Sequence, residues 1–143
     1  MLLSNKCQYA LRAALYLANH QKDGLISIKE ISEKLDISFH FLTKILQQLT
    51  NERIIESQKG PKGGVKLTNK GMNIRLYDLV DIIDGVDTFH ECVLGLPGCG
   101  HLKPCALHEE WALRREDLKS MLQGMTLEKI ADNGSIIHRL TIS

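Results

Sequence analysis

At 143 residues the chain has the length of one ordinary domain, enough to bury a single core and too short for two independent ones. A hydrophobic fraction of 43% beside 24% charged residues is that of a soluble globular protein, and no apolar run is long enough to cross a bilayer, which excludes a membrane-spanning class. The formal net charge of +1 hides an asymmetry: residues 1–75 hold twelve Lys and Arg against six Asp and Glu, whereas residues 76–143 hold six against eleven. A basic module is joined to an acidic one, and basic modules commonly face polyanions. The start, Met1 to Lys6, is too weakly apolar for a secretory signal, so the expected compartment is the cytoplasm.

Ala10, Leu11, Ala14, Leu15 and Ala18 follow the three-and-four spacing of an amphipathic helix over residues 6–19, broken at Asp23-Gly24. Ser27-Ile28-Lys29-Glu30 reads as the capping box of a second helix, with Ile28, Ile31 and Leu35 inward. After a turn at Asp36-Ile37, Ser38 is the N-cap of a third helix that turns Leu42, Ile45, Leu46 and Leu49 inward. Two short helices across such a turn have the proportions of a helix-turn-helix, whose second helix enters the major groove of DNA. Ile54–Ser57 and Val65–Thr68 read as short strands around a glycine-rich tip, and Lys59 and Lys62 in that tip supply charge that displaces condensed counterions.

Leu76, Leu79, Val80 and Ile83 mark a further helix stopped by Gly85. Helical periodicity is lost over residues 88–104 and resumes from Cys105 to about Met125, with Leu107, Trp111, Leu118, Met121 and Met125 on a heptad-like stripe interrupted by Arg114. A stripe projecting from a small domain needs a partner surface, so this helix is expected to form a homodimer. The predicted fold is mainly α: a winged helix-turn-helix with a small two-stranded wing and a long C-terminal dimerisation helix. The expected organisation is a DNA-binding domain over residues 1–75, a linker helix and cysteine-rich loop over 76–108, a dimerisation region over 105–132 and a flexible tail over 133–143.

Four cysteines are present, Cys7 in the first helix and Cys92, Cys99 and Cys105 within fourteen residues of one another. A reducing cytosol argues against structural disulfides, which leaves metal or redox chemistry for the clustered three. Glycines and prolines bend the segment between them so that three sulfurs can face one centre, and thiolates suit both iron-sulfur clusters and zinc. The absence of Cys-x2-Cys knuckles favours a cluster. His108, three residues after Cys105, is the first choice of fourth ligand; His101 is an alternative, and His90 and Glu91 reach only if the loop folds back. Cys7, among small apolar residues, reads as a core side chain. No paired carboxylates, nucleophile triad or phosphate-cradling loop supports an enzyme.

Taken together, Tyr9-Ala10-Leu11-Arg12-Ala13, Gly60-Pro61-Lys62-Gly63-Gly64, Leu79 to Gly85, and the three cysteines followed by His108 and Trp111 give the chain a clear affinity. It resembles the IscR/NsrR-type family of iron-sulfur winged-helix transcriptional regulators over nearly its whole length. The resemblance implies a homodimer that binds palindromic promoter DNA and changes affinity as a two-iron or four-iron cluster is built, oxidised, nitrosylated or lost. It matches Cys92, Cys99 and Cys105 to the cluster cysteines and His108 to the histidine of a two-iron site, although the first cysteine interval is one residue longer than usual. Four-iron members use an Asp from the partner's first helix where this chain has Gln8, next to Cys7; that departure favours the 2Fe-2S form and leaves the role of Cys7 open. For DNA reading the resemblance implies Ser38, His40, Phe41, Thr43 and Lys44 on the recognition helix and Lys59 and Lys62 on the wing. Thr43 stands where members can carry a base-discriminating Glu, so the operator need not carry over. The alternatives are a regulator with zinc or no metal in the loop and a small electron-transfer iron-sulfur protein, for which the basic wing has no use.

Overall fold

Helix α1, Asn5–Asn19, contains no β-branched residue and is rich in Ala and Leu, which lose little freedom on becoming helical. Ser4 caps it by accepting the Cys7 N–H at 3.0 Å. Its buried face is mostly small, with Cys7, Ala10, Ala13, Ala14 and Ala18, so neighbouring helices approach closely and α1 becomes the central post of the molecule. The computed structural model describes residues 2–132; the tail expected over 133–143 lies outside the described residues.

The helix-turn-helix follows from local chemistry. Ser27 accepts the Glu30 N–H at 3.1 Å and starts α2, Ile28–Leu35. Asp36 takes the left-handed conformation at φ 52°, one of the few non-glycine residues that tolerates it, and the chain turns. Buried Ile37 pins the turn, and Ser38 caps α3, Phe39–Asn51, by accepting the Phe41 N–H. Leu42, Ile45, Leu46 and Leu49 of α3 are all buried, as the spacing predicts.

The wing is the antiparallel pair β1, Ile55–Gln58, and β2, Gly64–Leu67, in register from Ile55 opposite Leu67 to Gln58 opposite Gly64. A third extended residue joins it: Ile26 exchanges two backbone hydrogen bonds with Val65, at 2.9 and 2.8 Å, and fastens the wing to the segment ahead of α2. A short helix α4, Asn69–Met72, follows, capped by Thr68, whose hydroxyl also donates to the Arg53 carbonyl at 2.7 Å. Sequence periodicity gave no sign of it, because one turn is too short to show a period.

Helix α5, Leu76–Asp84, ends at Gly85 with φ 77°. A single 3-10 turn, Asp87–Phe89, then buries Phe89 with its ring centroid 5.7 Å from that of Tyr77, anchoring the start of the cysteine loop in the core. The last elements are α6, His108–Gln123, and α7, Leu127–Ala131, the latter packed on α1. Leu76 donates to the Met125 carbonyl at 2.8 Å and Leu127 to Ile74 at 3.2 Å, so the chain after α6 returns to the base of α5. One hydrophobic cluster runs from Cys7 to Leu127 through both charge halves of the sequence.

The C-terminal helix differs from the sequence expectation in two respects. It begins at His108 and ends at Gln123 rather than running from Cys105 to Met125, because Cys105 to Leu107 form a turn behind Pro104, closed by the His108 N–H on the Cys105 carbonyl at 3.1 Å. Its stripe is also divided. Trp111 and Leu118 are half-buried, whereas Leu107, Met121 and Met125 are exposed; outside the stripe, Leu122 is buried and Leu113 is 61% exposed.

Candidate cysteine-rich centre and nucleic-acid face

The loop from His90 to Leu107 is fastened at its start and carries its cysteines inward. The Glu91 N–H donates to Asp87 at 2.9 Å, and the Glu91 carbonyl accepts from Trp111 Nε1 at 2.9 Å and Arg115 Nη1 at 3.0 Å. Immediately afterwards the Cys92 carbonyl accepts from the Gly95 N–H at 2.9 Å. The Sγ atoms of Cys92, Cys99 and Cys105 all lie within 4.8 Å of one another, with Cys92 and Cys105 separated by 3.6 Å. His108 is not within that reach of all three sulfurs: its Nδ1 lies 3.6 Å from Cys99 Sγ, and its Nε2 is buried with no hydrogen-bond partner among the described residues. His101 stands edge-on to His108 at 5.5 Å between centroids but is exposed.

The arrangement fits a thiophilic metal. Three half-buried thiols converge with an imidazole beside one of them, a donor set that suits zinc or iron-sulfur chemistry. The 3.6 Å pair is close to the roughly 3.8 Å edge of a tetrahedral thiolate site with Zn–S bonds of about 2.3 Å. Two thiolates on one iron of a cluster stand about as close, but thiolates on different irons stand further apart, so it is the mutual closeness of all three sulfurs that suits a single metal ion.

Local polarity separates the cysteines. Backbone N–H groups, that of Leu96 first and Leu94 next, with further help from the Cys105 and Cys99 sulfurs, outweigh desolvation and bring the Cys92 thiol down to about 7. Cys99 is pushed up: the Cys105 N–H favours its thiolate, but desolvation and the Cys105 and Cys92 sulfurs outweigh it. Cys7 is fully buried in the core, and burial, followed by the charge and hydrogen bond of Asp84, pushes its thiol to about 12. A thiol raised so far is a poor metal ligand. In reduced, metal-free protein a short pulse of iodoacetamide is expected to label Cys92 first and to leave Cys7 untouched. Because the Cys92 thiol is brought down to about 7, below the usual range of a free thiol, its labelling rate should climb between about pH 6 and 8 and then level off. Peptide mass spectrometry reads the order.

The basic half presents its groups around a groove of about 570 Å³ between α3 and the wing. Thr43 and Lys59 line this groove, and Lys62 is exposed at the tip of the wing, in the turn closed by the Gly63 N–H on Gly60 at 2.9 Å. His40 and Lys44 are exposed on α3. Ser38 is committed as a helix cap, and the Thr43 hydroxyl donates to the Phe39 carbonyl at 2.7 Å. Phe41 departs from the exposed position expected of it: it is half-buried and meets Tyr9 edge-on at 5.7 Å, locking α3 to α1. Lys29, Gln47 and Asn51 also line the groove and were not singled out from the sequence. The four-residue steps from Phe39 through Thr43 and Gln47 to Asn51 are the signal that finds that face.

No helix among the described residues is long and apolar enough to cross a membrane. The chain is 29% identical over 137 residues to the HTH-type transcriptional regulator IscR of Yersinia pseudotuberculosis, covering 96% of this chain and 83% of that protein. The structure of CymR, the global cysteine regulator of B. subtilis, superposes with a TM-score of 0.75 at 25% identity, over 92% of this chain and 96% of that one. T. potens IscR, 22% identical, shares the fold with a TM-score of 0.70 over 92% of this chain and 87% of that one. The relatives are transcriptional regulators rather than enzymes, and their winged helix-turn-helix is the fold observed here. The Rrf2 profile, described as an iron-dependent transcriptional regulator, matches residues 3–133, and the chain belongs to that family of DNA-binding transcriptional regulators.

Proposed function

We propose that the protein is a homodimeric, cytoplasmic regulator whose affinity for palindromic promoter DNA depends on an iron-sulfur cluster held by Cys92, Cys99, Cys105 and His108. The observation that carries this reading is the convergence of three thiols, with His108 Nδ1 3.6 Å from the sulfur of Cys99, in a chain whose N-terminal half is basic. A bound cluster would supply a centre sensitive to redox state or nitric oxide. Three thiolates and one imidazole favour the 2Fe-2S form over 4Fe-4S, in keeping with the IscR relative and with Gln8 in place of an acidic residue. The core position and high pKa of Cys7 argue against it as a ligand.

The chain's own contacts supply a route from the loop to the reading head. Asp84, at the end of α5, accepts from the Ser4 N–H at 2.9 Å and from the Ser4 hydroxyl, and Ser4 caps α1. Helix α1 in turn packs on α3, the helix that would enter the major groove. Exposed Leu113 and Met121 on α6, with exposed Leu107 and Met125 just beyond its two ends, support a second copy along this helix. On the DNA side, His40, Thr43, Lys44, Lys59 and Lys62 are the contacts favoured, with Ser38 at the helix start; the burial of Phe41 removes it from that set.

The close spacing of the sulfurs favours zinc as a second reading. Anaerobic isolation followed by visible absorption and by iron and sulfide assay separates the two, because a zinc site is colourless. Iron and sulfide in the colourless form's place support the cluster; zinc alone overturns it. Lys59→Ala and Lys62→Ala are each expected to weaken binding to all duplexes and to reduce the slope of log affinity against log salt by about 1. Fluorescence anisotropy across a salt series reads the slope, and an unchanged slope removes the wing from the interface.

A further inference from the structure

We propose that Trp111 and Arg115 are positioning residues for the cysteine centre, holding the backbone from which Cys92 projects through their shared acceptor, the Glu91 carbonyl. The inference rests on the reading that the loop binds a metal centre, and it concerns how this chain prepares the loop for one.

The two donors stand four residues apart on one face of α6, and they reach a carbonyl twenty and twenty-four residues earlier, at 2.9 and 3.0 Å. They occupy both acceptor positions of that oxygen. The neighbouring Arg114 makes a loose, exposed pair with Glu110 at 3.8 Å, of the kind that contributes little. Arg115, half-buried, instead directs its guanidinium at a main-chain oxygen beside a cysteine. With the Glu91 N–H on Asp87 and the Cys92 carbonyl on Gly95, the peptide units on both sides of the Glu91–Cys92 bond are held.

The consequence is a division among the four donors. His108 is the first residue of α6, and Cys105 is joined to it by the turn between them. Cys92 is referred to the same helix through Trp111 and Arg115. Three of the four donors are therefore set by one rigid element, and Cys99 alone projects from the far part of the loop. Holding ligands before the metal arrives lowers the ordering cost of binding, and partners outside the ligand set typically matter by 10- to 100-fold in affinity.

The test uses cobalt(II) alone as probe, since its thiolate absorption reports sulfur ligation directly. Reduced full-length protein is titrated anaerobically in competition with a chelator, as wild type, Cys99→Ser, Arg115→Lys, Arg115→Met and Trp111→Phe/Arg115→Met. Phe keeps the aromatic bulk and loses the N–H, Met keeps the stem and loses the donors, and Lys keeps a cationic donor. The double variant is expected to bind cobalt about tenfold more weakly than wild type at an unchanged far-ultraviolet circular dichroism spectrum. Arg115→Met should show part of the loss and Arg115→Lys should recover most of it. If the double variant does not fold, the contrast between Arg115→Met and Arg115→Lys carries the test. Equal affinities of wild type and the Arg115 and Trp111 variants, with Cys99→Ser binding more weakly, overturn the positioning role while leaving the metal centre intact. Wild type without thiolate–cobalt absorption overturns the metal reading itself, and the positioning role with it.

Discussion

Replacing Cys99 with Ser is expected to give a protein that still binds duplex DNA but whose affinity no longer responds to what the cysteine loop holds. Cys99 is the donor least fixed by the rest of the fold, and its Sγ lies both in the sulfur trio and 3.6 Å from His108 Nδ1. A serine hydroxyl is a harder ligand that stays protonated near neutral pH, so the substitution removes a soft donor at almost no steric cost. The recognition helix and wing contain no residue of the loop, so general DNA binding should survive. Coupling between distinct sites is typically about 1–3 kcal/mol, a several-fold to hundred-fold change in affinity that wild type should show and Cys99→Ser should lose. Anaerobic titration of a duplex selected by the protein from a random pool, at one salt concentration, reads both. A variant that keeps the full response would move the sensing elsewhere.

The largest expected effect on stability comes from Gly64→Ala. Gly64 has φ 155°, and a Cβ there would meet the Ile26 carbonyl oxygen at 2.3 Å and its carbon at 2.5 Å. The obstacle is main chain, held by the paired hydrogen bonds between Ile26 and Val65, so no side chain can rotate away. Strain at a position that disfavours side chains costs about 1–3 kcal/mol, and inserting bulk against fixed packing costs a similar amount. A loss of roughly 3 kcal/mol or more in urea unfolding is expected, and DNA affinity should fall with it, because the wing would part from the segment that sets its angle. Gly100→Ala is the control: open space surrounds that position, and no measurable change should follow. A wild-type midpoint for Gly64→Ala would show that the wing is not fastened through Ile26.

The parts of this fold that sequence reveals are those encoded by near neighbours. Ser27 and Ser38 announce their helices because a cap and the N–H it accepts are three residues apart. The inward leucines and isoleucines of α3 announce its buried face in the same way. The cysteine trio was legible from residue type and spacing. His108 starts α6 and stands beside Cys99, whereas Cys105 lies in the turn ahead of the helix.

What stayed hidden depends on contacts between distant segments. Periodicity places Trp111 and Leu118 on one stripe but does not say whether that stripe meets a second copy or the same chain. Nothing near Trp111 in sequence indicates that its N–H reaches the Glu91 carbonyl. Phe41 lies near the edge of the polar face of α3, and only the packing of Tyr9 from α1 decides that it turns inward. The pairing of Ile26 with Val65 joins residues thirty-nine apart and leaves no local trace.

The most direct measurement is the affinity of anaerobically isolated wild-type protein for one selected duplex, before and after a chelator strips its metal, at fixed salt. The account predicts a dimer on a two-fold symmetric site and an affinity that changes several-fold or more on stripping. Identical affinities, or a monomer that ignores duplex DNA in both states, would contradict it.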